Sequence, residues 1–139
     1  GIDVPVLFVA GDNDDISGYD GIRWLFDDTT HKDTKLLTIK NARHNVAPHL
    51  APKEAYGSEF DLGSYIEPAW EEQKLNAINE HFAFALMNCH VKAMADYCAF
   101  LEVTGSSDQV PSGGETPAPW KGFDNRWALG LLMEGKDGK

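Results

Sequence analysis

Pro5-Val6-Leu7-Phe8-Val9-Ala10-Gly11-Asp12-Asn13-Asp14 is the stretch on which the fold turns, and its counterpart further on is Leu36-Leu37-Thr38-Ile39-Lys40-Asn41-Ala42-Arg43-His44-Asn45. Residues 4–10 form an apolar run, and a strand that is apolar on both faces belongs in a parallel sheet covered by helices on each side. Pro5 is tolerated because it stands at the beginning of the strand. Gly11-Asp12-Asn13-Asp14-Asp15 then makes a turn cluster at the strand's C-terminal end, where open α/β sheets place their chemistry. Residues 19–28, with Ile22, Trp24, Leu25 and Phe26, read as a short amphipathic helix, and residues 35–39 as a second strand. The three pieces make a strand-helix-strand unit, for which a right-handed crossover is expected.

That unit brings an acid and a histidine together. His44 follows Asp14 by 30 positions and lies just beyond the second strand. Neighbouring parallel strands run about 4.8 Å apart, so the loops at their C-terminal ends are neighbours whatever the distance along the chain. A carboxylate placed there accepts the Nδ1 proton of the histidine and fixes its tautomer, which leaves Nε2 to take a proton from a nucleophile. Asp12 and Asp15 compete for the role if the turn is shifted; Asp14 ranks first on its Gly-x-x-Asp spacing.

The remainder reads outward from this pair. Residues 41 to about 67 contain Pro48, Pro52, Gly57 and Gly63 without a sustained period, an excursion of the length that usually covers a site. Pro68 suits an early helix position, and Ala69, Trp70, Ala77, Ile78, Phe82, Ala85, Leu86 and Cys89 recur at helical spacing to about Val91. A second helical piece over residues 93–101 continues after a bend. Residues 105–122, rich in Gly, Pro and Ser, read as a loop whose Trp120, with Phe123 just beyond it, is a buried plug. Residues 127–133 are a final short strand or an irregular tail, and residues 134–139 are expected to fray.

Asp14 in its Gly-x-x-Asp turn and His44 in Ala42-Arg43-His44-Asn45 resemble the acid turn and the histidine loop of the α/β-hydrolase superfamily, whose triad runs in the order nucleophile, acid, histidine. Arg43 departs from the glycine that many members carry before the histidine. Glu67-Pro68-Ala69-Trp70, Leu75-Asn76-Ala77-Ile78-Asn79-Glu80-His81-Phe82, Asn88-Cys89-His90-Val91-Lys92 and Trp120-Lys121-Gly122-Phe123 look like bacterial dienelactone-hydrolase-like proteins, a likeness that covers nearly all 139 residues. The resemblance implies an α/β fold in which residues 1–139 are the C-terminal part of one hydrolase domain: strand-helix-strand, histidine loop and long C-terminal helix. It implies hydrolysis of a carboxylic ester or lactone through an acyl-enzyme, with no metal or organic cofactor. The nucleophile is missing. Ser17, Ser58, Ser64, Ser106 and Ser112 lack a glycine two positions earlier, and Ser107 lacks the second glycine of an elbow and follows a helix. The family order places the nucleophile and oxyanion amides upstream of Gly1, on a further segment or partner chain that would also complete the sheet, and the chain alone is expected to be inert. A noncatalytic module on the same scaffold and a peptidase of the same fold are the alternatives.

Composition narrows the partners. With 22 acidic against 12 basic residues the formal charge is -10, which repels phosphate backbones and anionic membrane faces. No apolar run is long enough to span a bilayer, the first residues do not form a signal peptide, and the compartment is not fixed. Asp12-Asn13-Asp14 begins like a calcium loop, yet Ile16 and Ser17 stand where an EF-hand needs an oxygen ligand and a glycine. His44 and His49 have no usual zinc spacing. His49 is expected near the site mouth, His31 in solvent, and His81 and His90 partly buried on the long helix. Cys89 and Cys98 lack a C-x-x-C spacing and read as core thiols rather than a disulfide.

Overall fold

In the computed structural model, which describes residues 2–103, 105–106, 121–122 and 129–136, the chain is a mixed α/β structure. Strand β1 (Val6–Gly11) leads through helix α1 (Tyr19–Asp28) into β2 (Thr34–Ile39). A 3-10 turn (Lys53–Gly57) and α2 (Glu59–Gly63) follow, then α3 (Glu72–Leu86), which ends in a π-helical turn (Met87–Val91). After α4 (Ala95–Cys98) come a two-residue strand β3 (Gly105–Ser106) and β4 (Leu131–Gly135). The sheet order is β1-β2-β4-β3, with β1 parallel to β2 and β4 antiparallel to both β2 and β3.

Side-chain alternation along β2 assigns the two faces of the sheet. Leu37 and Ile39 join Leu131 and Met133 of β4 under α3, where Leu75, Ile78, Phe82 and Ala85 are buried at helical spacing. Leu36 and Thr38 are buried on the other side, where the hydroxyls of Thr38 and Tyr19 of α1 lie 2.7 Å apart. Arg23 of α1 pairs with Glu134 of β4 and is also 3.3 Å from Asp27. The parallel pair ends with Gly11 beside Ile39, so both following loops emerge at one end of the sheet.

Several expectations are corrected. The sheet is mixed rather than purely parallel, because the last apolar run returns antiparallel along β2. β1 begins at Val6, and Val4 is exposed. The long excursion contains regular structure in its 3-10 turn and α2. Pro68 and Trp70 precede the long helix, which starts at Glu72, because the Trp70 indole instead donates 2.8 Å to the Lys40 carbonyl at the end of β2. Residues 134–136 do not fray: Glu134 and Gly135 lie in β4, and the Lys136 ammonium donates to the carbonyls of Asp27 and Thr29 at the C-terminal end of α1. His31 is half-buried, its Nδ1 accepting from the Asp33 amide at 3.1 Å. Trp120, Phe123, Ser107 and Ser112 lie outside the described residues.

The cysteines are bonded to each other, which overturns the reading as free thiols. The π-helical turn carries Cys89 one way, the backbone reverses at Ala93 with φ 54°, and α4 brings Cys98 back with 4.9 Å between the two Cα atoms. A sequence separation of 9 closes a short loop, for which cross-linking is worth about 2–3 kcal/mol through the unfolded chain. Reduction with a phosphine should therefore lower the unfolding free energy in urea by about that amount, and an unchanged urea midpoint would show the bond to be without consequence.

Candidate functional site

The acid and histidine loops are zipped together at the ends of β1 and β2. The Asp12 amide donates 3.2 Å to the Ile39 carbonyl and the Asn13 amide 3.0 Å to that of Ala42. In return the Asn41 amide donates 2.5 Å to the Asp12 carboxylate. Gly11 is required by this approach: a Cβ there would overlap the carbonyl oxygens of Ala42 and Arg43. The chain bends ahead of the histidine at Asn41, whose φ of 61° lies in the left-handed region that asparagine tolerates.

Asp14 and His44 meet as the sequence predicts. His44 Nδ1 lies 3.0 Å from Asp14 Oδ2. The other carboxylate oxygen, Oδ1, accepts the amides of Ile16 at 2.9 Å and Ser17 at 3.0 Å, so the acid is held by its own turn before it meets the ring. Only 8% of the Asp14 side chain is exposed against 45% for His44, an arrangement with the acid beneath and the imidazole at the surface. Burial works to raise the Asp14 pKa; the hydrogen bond to His44, the two amides and the charge of the imidazolium outweigh it and hold the carboxyl below its ordinary 3.8. With Nδ1 donating to Asp14, Nε2 is the nitrogen that accepts a proton.

Asp12 and Asp15, the rivals for the acid role, have other work. Asp12 holds the Asn41 amide, and Asp15 takes Arg43 through both Nε, at 3.1 Å, and Nη2. That forked pair holds the Asp15 carboxyl below its usual range and the Arg43 guanidinium above its own. Two further residues belong to the site. Asn45 Nδ2 donates to the carbonyls of Gly63 at 3.1 Å and Ile66 at 2.9 Å. Glu67, buried at 7% exposure, accepts the Arg43 amide on Oε2 at 2.8 Å and the Ala69 amide on Oε1 at 3.0 Å. The one hint of Glu67 in the sequence is an acid at the end of a proline-rich excursion; nothing there specifies its partner 24 residues back.

His44 opens on a cleft of about 500 Å3 lined by Ile16, Arg43, Phe60, Ser64, Ile66 and Pro68 among others. The excursion thus supplies one wall of the cleft, and Phe60 stands 87% exposed on α2. His49 is not part of the lining and packs edge-on against Tyr65, ring centroids 5.3 Å apart. His81 and His90 are half-buried away from the cleft, as expected. Among the described residues no three His, Cys, Asp or Glu side chains gather to hold a metal ion, and no helix is long and apolar enough to cross a membrane. Comparison with known protein-family models, curated proteins and solved structures returned no match.

Two outcomes follow from this geometry. Gly11→Ala should force the two loops apart and cost about 1–3 kcal/mol in urea unfolding, with loss of the His44 to Asp14 hydrogen bond by NMR; a variant of unchanged stability would contradict the close approach. The folded pKa of Asp14 lies below 3.8, so the stabilisation from its ionised form is complete above that pH and is lost as pH falls through the folded value. Asp14→Asn should accordingly destabilise the protein at pH 7 and by progressively less below pH 3.8, read from urea midpoints at pH 7 and pH 3.

Proposed function

We propose that this chain supplies the acid and the general base of a triad hydrolase of the α/β-hydrolase type, acting on a carboxylic ester or lactone. The observation that carries the reading is the 3.0 Å contact of His44 Nδ1 with an Asp14 already fixed by two backbone amides, at the C-terminal ends of adjacent parallel strands. In this reading Nε2 of His44 removes the proton of a serine or cysteine as that atom attacks the ester carbonyl carbon. The proton then passes to the leaving alkoxide as the acyl-enzyme forms, and the cycle repeats with water. Asp14 stays ionised and stabilises the imidazolium, a role supported by its lowered pKa.

The nucleophile in this proposal lies on a segment or partner chain outside these residues. Ser64 lines the cleft, but it ends α2 rather than occupying a strand-to-helix elbow. The outer side of β1 supports the proposal: among the described residues β1 is an end strand of the sheet, yet its sequence VLFVAG is as apolar as an interior strand, the composition expected if further strands pair beside it.

Intact-mass spectrometry after a fluorophosphonate probe tests the reading. The 139-residue chain alone should take no adduct and should not hydrolyse p-nitrophenyl acetate faster than its His44→Ala variant. Combined with the segment or partner chain that carries the proposed nucleophile, it should be labelled on that segment or chain and lose at least about a thousandfold in kcat on His44→Ala. An adduct on Ser64, or full activity in the His44→Ala variant, would overturn the proposal, and a combined protein that binds ligands without labelling would mark a noncatalytic module.

A further inference from the structure

Glu67 is a buried carboxylate that the triad reading leaves without a role. Its two oxygens face two backbone donors from different segments, the amide of Arg43 at 2.8 Å and that of Ala69 at 3.0 Å, and it is 7% exposed. Burying a carboxylate is costly, so a site that keeps one needs hydrogen-bond donors to both oxygens. Glutamine does not replace it: its carbonyl serves one amide and its NH2 group then meets the other, donor against donor. We infer that Glu67 is a positioning residue for the Asp14–His44 pair, setting the backbone from which His44 projects by tying the residue before it to the lead-in of α3.

The inference rests on the triad reading. Arg43 is the coupling residue. Its amide is held by Glu67 and its guanidinium by Asp15, next to Asp14, so the histidine loop is fixed from below and from the acid loop at the same residue. Asn45 adds the tie to the carbonyls of Gly63 and Ile66, and Asn79 of α3 donates 2.7 Å to the Val46 carbonyl. His44 thus sits between anchored neighbours, and the anchor before it is the buried one. The charged groups around the ring are Asp14 in contact, Asp15 and Arg43 alongside, and Glu59 across the cleft.

The low-field proton NMR signal of His44 Nδ1–H tests this in the chain as it exists, because that proton is visible only while the ring is held on Asp14. Asp14→Asn is the reference and should abolish it. Glu67→Gln and Glu67→Asp should both broaden the signal or remove it while the amide spectrum stays dispersed: the first presents a donor to a donor, and the second keeps the charge on a side chain too short to span both amides. A sharp signal in both variants would overturn the positioning role and leave the triad reading standing. Restoration by Glu67→Asp alone would also overturn it, since charge and not the span would then matter. Persistence of the signal in Asp14→Asn would instead overturn the pair itself. If the variants do not fold, the unmodified chain decides: the Arg43 amide should exchange with deuterium at least about tenfold more slowly than an unstructured peptide amide, and free exchange would sink the inference.

Discussion

The constraint on which the rest depends is the contact of two loops across Gly11. Two parallel strands end side by side, and the chain leaving β2 passes so close over β1 that no side chain fits between them. Everything chemical follows from this proximity. The amides of Asp12 and Asn13 find carbonyls in the opposite loop, the left-handed Asn41 turns the chain, and Asp14 and His44 are brought into contact as consequences of backbone geometry. A pair built this way needs little side-chain reach, and the short side chain of an aspartate is enough to meet the ring.

How much of this was legible depends on whether the signal was local. Asp14 and His44 were readable because each stands in the turn that follows an apolar run, and strand ends are marked by the change from Ala10-Gly11 to Asp12 and from Ile39 to Lys40-Asn41. The long helix was readable through Ile78, Phe82 and Ala85, which with Leu75 form the buried stripe observed, while its start was not: Pro68 suits the first turn of a helix, and the Trp70 indole's bond to Lys40 that keeps this segment out of α3 is a tertiary event. The same reason hides Glu67. The direction of β4 was equally illegible, since Leu131-Leu132-Met133 is apolar whichever way it runs, and the disulfide depended on a reversal at Ala93 that no turn residue announces.

Electrostatically the site is a set of matched pairs in a strongly acidic chain. Asp15 is taken up by Arg43, Asp12 by the Asn41 amide and Glu67 by two amides, which leaves Asp14 as the carboxylate in contact with the imidazole. Of the acids at this end of the sheet, Asp14 joins low exposure to partners on both oxygens and the histidine as neighbour. Fixed dipoles aimed at a carboxylate in advance require no rearrangement when the ring above it gains a charge.

The antiparallel β4 has a consequence for the traffic of the chain through the sheet. Val6 enters β1 beside Thr34, with its amide 3.4 Å from the Asp33 carbonyl, and Lys136 leaves β4 beside the same residue, its amide 3.1 Å from the Thr34 carbonyl. The start of β1 and the end of β4 therefore share one pole of the sheet, and the acid, the histidine and the cleft lie at the opposite one. A nucleophile supplied from outside these residues, as proposed above, therefore has to be carried the length of a strand, about 20 Å, before it reaches His44.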